Sequence, residues 1–184
     1  MTGRRAFLKT GAAMTLTHML GVPTVAAASI YPPVPPAYRN AARRHGVPAA
    51  LLYAVALQES VLQLRGQRLP YPWTLNVERR AERHPTYGAA VERLSALLDR
   101  GVRRVDCGAL QVCWKYHAGK LGTPVLALNP WRNIDVGAAV LRERHDETPD
   151  WFVAAGRYHA PSNPERAERY ARRVFARLAR IRHV

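Results

Sequence analysis

The stretch 51-LLYAVALQES-60 decides how the fold is interpreted. Seven apolar or small residues precede the polar Gln58, Glu59 and Ser60. A helix that is apolar nearly all round is expected at the centre of a domain. A carboxyl group at the end of such a helix is unusual, because charged groups in apolar surroundings are paired, neutralised or functional. Glu59 is therefore either the polar end of a buried helix or a group placed for chemistry.

Helical patterns with clear ends extend over most of the 184 residues. Gly46 predicts the end of a first helix, and Pro48 predicts the start of the second, which contains the opening stretch. Residues 63–84 are expected to be irregular apart from one strand at 73–77, and residues 102–112 to hold a short strand and a turn. Periodicity and end signals predict helices at residues 36–45, 48–62, 86–100, 130–147, 151–159 and 164–182. The result is one mainly α domain with a small extended β lobe.

The first 28 residues have the layout of a signal peptide. The pair Arg4 and Arg5 precedes a mildly apolar stretch, and small residues follow it. The run TGRRAFLK resembles a twin-arginine export signal, which predicts a periplasmic protein. The segment is too short and too polar for a membrane span. Residues 29–35 read as a Pro-rich lead-in, and residues 36–184 as the folded domain.

The chain is strongly basic, with 28 Lys and Arg against 13 Asp and Glu. Removal of Arg4, Arg5 and Lys9 with the signal lowers the net charge from +15 to +12. Such a charge favours polyanionic partners: nucleic acid, anionic lipid or cell-wall polymers. Nucleic acid is not the expected partner, because no recognition-helix, zinc-finger or RNP-like pattern is present and export separates the protein from DNA.

The two cysteines leave two alternatives open. Cys107 and Cys113 are six residues apart, which is a rise of about 9 Å on a continuous helix. A disulfide bridges Cα atoms up to about 7 Å apart, so it requires a turn or extended chain between them. Otherwise both are free thiols. The seven histidines form no spacing typical of a metal site, and no cofactor is expected.

Four segments occur in a suggestive order: ALQES, DCGALQV, NIDVGAAVL and AAGRYHAP. Together they resemble the motif series of soluble lytic transglycosylases, over about residues 36–182. The segment YPWTLNV and its spacing to the second motif resemble the branch that travels with conjugation and type IV secretion machinery. The resemblance implies a lysozyme-like (goose-type) helical fold in a catalytic domain over residues 36–184. It also implies that peptidoglycan glycan strands are the substrate and secretion machinery a partner.

The resemblance assigns the acid of the reaction to Glu59. Enzymes of this family cleave the β-1,4 bond between N-acetylmuramic acid and N-acetylglucosamine, and they close a 1,6-anhydro ring without water. Desolvation by an apolar helix keeps a carboxyl group protonated near neutral pH, which is what the donor to the leaving oxygen requires. The acetamido group of the substrate stabilises the cation, so one carboxylate suffices.

The motif positions imply further substrate contacts. Ser60 matches the serine beside the acid, with a hydrogen bond to the acid or to the acetamido group. Gln111 is expected to line the sugar cleft, and Tyr158 matches a tyrosine whose hydroxyl lies near the acid. Gly108 is either a position of close approach to substrate or a simple turn glycine.

Other candidate contacts carry explicit alternatives. His159 stands where the family often has Asn, and is either a sugar-binding donor or an exposed helix-end residue. Trp73 and Asn76 are candidates to face the glycan, with core packing the alternative for Trp73. Asn133 and Gly137 are expected to serve the fold.

Two rival functions share the predicted fold. A lysozyme-type hydrolase needs a second carboxylate or a positioned water, and Asp106 is the best candidate for that carboxylate. A non-catalytic wall-binding or scaffold module would keep the fold without turnover. Product analysis and substitution of Glu59 separate these alternatives.

Overall fold

The computed structural model describes residues 31–182. The predicted signal peptide lies outside the described residues, as do positions 29 and 30 of the predicted lead-in and positions 183 and 184. Within residues 31–182 the chain forms eight helices and six strands, and the helices predominate. The prediction of a mainly α domain with a small β lobe is confirmed at this level.

The first helix has the predicted bounds, and the second ends two residues before the predicted position 62. Helix α1 spans Pro36–His45, and the left-handed Gly46, with φ of 63°, ends it by donating its N–H to the Ala42 carbonyl. Helix α2 spans Ala49–Ser60 and follows Pro48 directly. Its residues 51–57 are at most 2% exposed. The apolar stretch is therefore the central helix of the core, as its composition predicts.

Side-chain caps define most of the remaining helix starts. The N-cap residues Thr86, Thr123, Asn129, Asp150 and Asn163 each accept a hydrogen bond from a backbone N–H of the first turn. The helices are α3 Tyr87–Asp99, α4 Trp114–Leu121, α5 Pro124–Leu128, α6 Pro130–Glu147, α7 Trp151–His159 and α8 Pro164–Leu178. The short α4 and α5 were not predicted, and α8 ends four residues before the predicted position 182.

The prediction of irregular chain over residues 63–84 is wrong, apart from its strand. Two hairpins occupy this region and the residues beside it: β1 Val61–Leu64 with β2 Gln67–Pro70, and β3 Thr74–Val77 with β4 Arg80–Arg83. Their two-residue turns place Arg65 and Gly66, then Glu78 and Arg79, at positive φ. Such turns match the twist of a hairpin, but only one of these four residues is glycine, so the usual sequence signal is weak.

A second sheet joins this lobe to the helices. Strands β5 Val105–Cys107 and β6 Val112–Cys113 extend the second hairpin into a four-stranded antiparallel sheet in the order β4-β3-β5-β6. The tight turn between β5 and β6 contains Gly108 and Gln111, both at positive φ. The strand and turn predicted over residues 102–112 are therefore confirmed.

A buried asparagine fixes that turn. The Asn133 side chain is 1% exposed. Its Oδ1 accepts from the Leu110 N–H at 3.0 Å, and its Nδ2 donates to the Cys107 and Ala127 carbonyls at 2.9 and 3.0 Å. On the same helix, a Cβ at Gly137 would collide with the Leu110 side chain. Asn133 and Gly137 thus serve the fold, as expected.

None of the helices formed by residues 31–182 combines the length and the apolar character needed to cross a membrane.

We predict that Asn133→Ala lowers the free energy of unfolding by about 2–4 kcal/mol, because it leaves one N–H and two carbonyl groups unpaired in the core. Urea unfolding followed by circular dichroism measures the change. Asn40→Ala is the matched control, since the exposed Asn40 side chain accepts one bond, from Arg43. Equal losses for the two variants would contradict this role of Asn133.

Candidate active site

Glu59 lies at the end of α2, where its side chain is 15% exposed. The Tyr170 hydroxyl, from α8, donates a hydrogen bond to Glu59 Oε1 at 2.6 Å. The His159 Nδ1, from the last residue of α7, is 3.8 Å from the same oxygen. The His159 and Tyr170 rings stack with centroids 4.5 Å apart. The carboxyl group is thus held between α7 and α8 and keeps limited access to solvent.

A second carboxyl group, that of Asp106, faces the same region from strand β5. Cross-strand pairing aligns Asn76, Asp106 and Cys113 in one row across the sheet. These three residues are half-buried, while the neighbours Leu75 and Cys107, which point to the opposite face, are fully buried. The row is therefore the partly open face of the sheet.

Polar neighbours surround the Asp106 carboxyl. The Asn76 Nδ2 donates to Asp106 Oδ2 at 3.1 Å. Burial raises the pKa of Asp106 above its usual value, and the nearby charge of Glu59 raises it further, while the Cys113 thiol and the Asn76 amide oppose the rise. The two carboxyl groups are thus close enough to interact electrostatically. Tyr158 interacts electrostatically with both carboxyl groups: burial raises its pKa most, and the charges of Glu59 and Asp106 raise it further.

The prediction that Ser60 contacts the acid or the substrate does not match its position. The Ser60 side chain is 1% exposed. Its hydroxyl donates to the Ala109 carbonyl at 2.8 Å, and it accepts from the Tyr71 N–H at 3.2 Å. The single hydroxyl proton of Ser60 is used in the bond to the Ala109 carbonyl. Ser60 therefore joins α2 to the β5–β6 turn.

Three other predicted contacts also support the turn. The Gln111 Nε2 donates to the Gly108 carbonyl at 2.8 Å and to the Thr74 carbonyl at 3.2 Å. The Tyr158 hydroxyl donates to the Leu110 carbonyl at 2.7 Å. Gly108 has φ of 77°, and a Cβ there would collide with Asn133. Close approach of the Asn133 side chain therefore explains this glycine.

The two residues predicted from the segment YPWTLNV have different environments. Trp73 packs against the core, edge-to-face with Tyr71 at a centroid distance of 5.8 Å. Asn76 lies in the open row beside Asp106. Of the predicted substrate contacts, Asn76 therefore bonds the Asp106 carboxyl group, and His159 lies beside the Glu59 carboxyl group.

Both cysteines are free thiols. In the β5–β6 register, Cys113 pairs with Asp106 and Cys107 pairs with Val112. The two side chains consequently point to opposite faces of the sheet, which excludes the disulfide that the sequence left open.

Two cavities of the molecule lie away from these carboxyl groups. One of about 380 Å³ lies between the β3–β4 hairpin and α3, and one of about 270 Å³ lies between α7 and α8. Neither is lined by Glu59 or Asp106. The candidate site is distinguished by its grouped polar side chains and not by either cavity.

Within residues 31–182, no group of three His, Cys, Asp or Glu side chains is arranged to hold a metal ion. Comparisons of the chain with protein-family models, with curated proteins and with solved structures found no match.

Tyr170 is the site residue that sequence reasoning missed. It belongs to the apolar stripe of α8, whose three- and four-residue spacing predicts a core position, and its 1% exposure agrees with that. The signal that could have found it is its hydroxyl, because most buried tyrosine hydroxyls bond a partner. Here that partner is the Glu59 carboxyl group.

We predict that Tyr170 makes stability fall with rising pH above about 10. Burial, together with Glu59, raises the pKa of Tyr170 well above 10.0. The unfolded chain therefore loses this proton first, and the stabilisation present below pH 10 is lost as the pH rises. The loss for this residue is about 1.4 kcal/mol at pH 11.

Tyr170→Phe should flatten this part of the pH profile, as measured by urea unfolding at pH 8 and pH 11. Phe175→Leu, which changes packing beside Phe152 without a titrating group, should leave the slope unchanged. Identical slopes for wild type and Tyr170→Phe would overturn the prediction.

Proposed function

We propose that this protein is a lytic transglycosylase of lysozyme-like fold. It cleaves the β-1,4 bond between N-acetylmuramic acid and N-acetylglucosamine and leaves 1,6-anhydromuramic ends. Its setting is the periplasm, where it opens the wall locally for a secretion or conjugation apparatus. The proposal rests on the ordered motif series and, above all, on the placement of Glu59.

The observation that carries the proposal is a carboxyl group on an apolar helix with an uncharged donor. Residues 51–57 of α2 provide the dry flank, and the Tyr170 hydroxyl holds Oε1 in place without adding a positive charge. An acid catalyst must be oriented and must keep its proton until the leaving oxygen arrives. The Tyr170 bond orients Glu59, and the apolar residues of α2 limit the access of water to one side of it.

His159 adds a titratable group at the edge of the site. Its Nδ1 lies 3.8 Å from Glu59 Oε1, and its side chain is 35% exposed. From this position the imidazole can contact both the carboxyl group and a bound sugar. It is suited to binding substrate, in the position where the family often has Asn.

A lysozyme-type hydrolase is the second candidate, and Asp106 favours it. A hydrolase requires a group that activates or positions water, or a carboxylate nucleophile. Asp106 interacts with Glu59 and lies on the open face of the sheet. The products distinguish the two reactions, since hydrolysis leaves reducing ends and transglycosylation leaves anhydro ends.

We expect purified sacculi treated with the wild-type protein to release 1,6-anhydro muropeptides, and Glu59→Gln to reduce the rate by at least about 100-fold, the usual contribution of a general acid. Mass spectrometry of the soluble products measures both. Glu165→Gln is the matched control, since the Glu165 side chain is 87% exposed and pairs with Arg169. Reducing ends would establish the hydrolase, and absence of any soluble product would favour a non-catalytic module.

The basic charge predicts adhesion to the anionic wall. Helix α8 carries four exposed arginines, Arg166, Arg169, Arg172 and Arg173. Co-sedimentation of the Glu59→Gln variant with sacculi should weaken at least about tenfold between about 50 and about 300 mM salt, because exposed charges are screened. Binding that is insensitive to salt would contradict an electrostatic origin.

A further inference from the structure

The proposed reaction requires an acceptor for the substrate's acetamido group. When the acetamido carbonyl oxygen attacks C1, positive charge develops on the amide, and its N–H becomes a stronger donor. A preorganised acceptor facing that N–H stabilises the transition state more than the ground state. Such an acceptor has to lie beside Glu59, because the acetamido group is attached next to the reacting carbon.

The residue that the motif assigns to this task is already engaged. Ser60 is buried, and its hydroxyl bonds two backbone groups of neighbouring elements. The Gln111 amide nitrogen likewise bonds two carbonyl groups. The Ser60 hydroxyl cannot turn toward a sugar without breaking these contacts, and the bonds of the Gln111 amide nitrogen fix the direction of its side chain along the β5–β6 turn.

Asp106 has the chemistry and the placement that the task requires. An ionised carboxylate only accepts hydrogen bonds. The Asn76 amide donates to Oδ2 at 3.1 Å, and the Cys113 thiol is a second donor to the carboxyl group. Because an ionised carboxylate has about four lone-pair sites, these two bonds orient the group and leave it room for another donor.

Ser60, the neighbour of Glu59 in the chain, bonds the Ala109 carbonyl in the turn that follows Asp106 at 2.8 Å. This bond brings the end of α2 to the turn after β5, in agreement with the electrostatic interaction of Asp106 with Glu59 and His159.

We infer that Asp106 is a catalytic residue that accepts the acetamido N–H and stabilises the oxazolinium ion. This inference rests on the proposed function. Asn76 is then a positioning residue that fixes the carboxylate. The role differs from that of a water-activating base, because Asp106 takes no proton and no water enters the products.

The bonds balance without another reactant. Glu59 donates its proton to the glycosidic oxygen as the C1–O bond breaks, and the acetamido oxygen bonds to C1. Asp106 holds the N–H of this cation. The Glu59 carboxylate then takes the proton of the C6 hydroxyl, O6 bonds to C1, and the bond from the acetamido oxygen to C1 breaks. Glu59 ends protonated, and the glycan ends in a 1,6-anhydro ring.

Asp106→Asn tests the inference with little change in shape. We expect kcat on glycan strands to fall about 100-fold or more, with KM changed by less than about threefold, because the lost contact strengthens in the transition state. The remaining products should still carry anhydro ends. Burial raises the pKa of Asp106, so the wild-type rate should fall as the pH drops through this raised pKa, and Asp106→Asn should lack that limb.

A second measurement tests the contact itself and does not depend on how well one variant folds. Strands whose muramic acid carries a free amine cannot form the oxazolinium ion. The wild type should lose about 100-fold on them, and Asp106→Asn should lose no more when the two changes are combined, as expected for groups that act on each other. Losses that multiply would show that Asp106 acts elsewhere.

The outcomes separate this inference from the proposed function. If Asp106→Asn stays within about threefold of wild type while Glu59→Gln is inactive and the ends are anhydro, the transglycosylase stands and the role of Asp106 fails. If the wild type makes reducing ends and Asp106→Asn makes none, Asp106 activates water, and both proposals fail.

Discussion

The turn between β5 and β6 is the constraint on which the candidate site depends. Its backbone groups are buried, and buried amide and carbonyl groups must find partners. A turn of this length cannot supply them all from within itself. Side chains from three helices complete the pairing: Ser60 from α2, Asn133 from α6 and Tyr158 from α7. The same few atoms that satisfy the turn therefore fix three helices against one edge of the sheet.

The two carboxyl groups inherit their positions from this network. Glu59 directly precedes Ser60, and Asp106 directly precedes Cys107, whose carbonyl accepts from Asn133. Each carboxyl residue is thus one position away from a residue anchored at the turn. Carboxyl groups repel each other when both are ionised, so the surrounding bonds are what hold these two in the same region. Ser60 and Cys107 thus hold the turn in place, and their neighbours in the sequence carry the two carboxyl groups.

Sequence patterns predicted the helices well because glycine, proline and capping residues mark their ends with distinct backbone chemistry. The hairpins of residues 61–83 escaped prediction because most of their turn residues are not glycine and their strands alternate poorly. For the site, motif order could locate Glu59 but not the direction of neighbouring side chains. Whether Ser60 faces a sugar or a carbonyl group depends on the turn that packs beside it. That turn contains Ala109, which is 49 residues away in the sequence. Tyr170 was not predicted as a site residue because it lies in the apolar stripe of α8, which indicates only a core position.

The environment of Glu59 is best understood against another carboxylate of the same chain. Glu82 bonds the Arg93 guanidinium through both oxygens, and this pairing lowers the pKa of Glu82. A guanidinium holds a carboxyl group in its ionised form, which suits a structural ion pair and prevents proton donation near neutral pH. Within residues 31–182 no lysine or arginine forms an ion pair with Glu59, although the chain has 28 such residues. A neutral tyrosine hydroxyl bonds it instead. The two carboxyl groups thus differ in the charge of their hydrogen-bond donors, which distinguishes the environment of Glu59 from a structural ion pair.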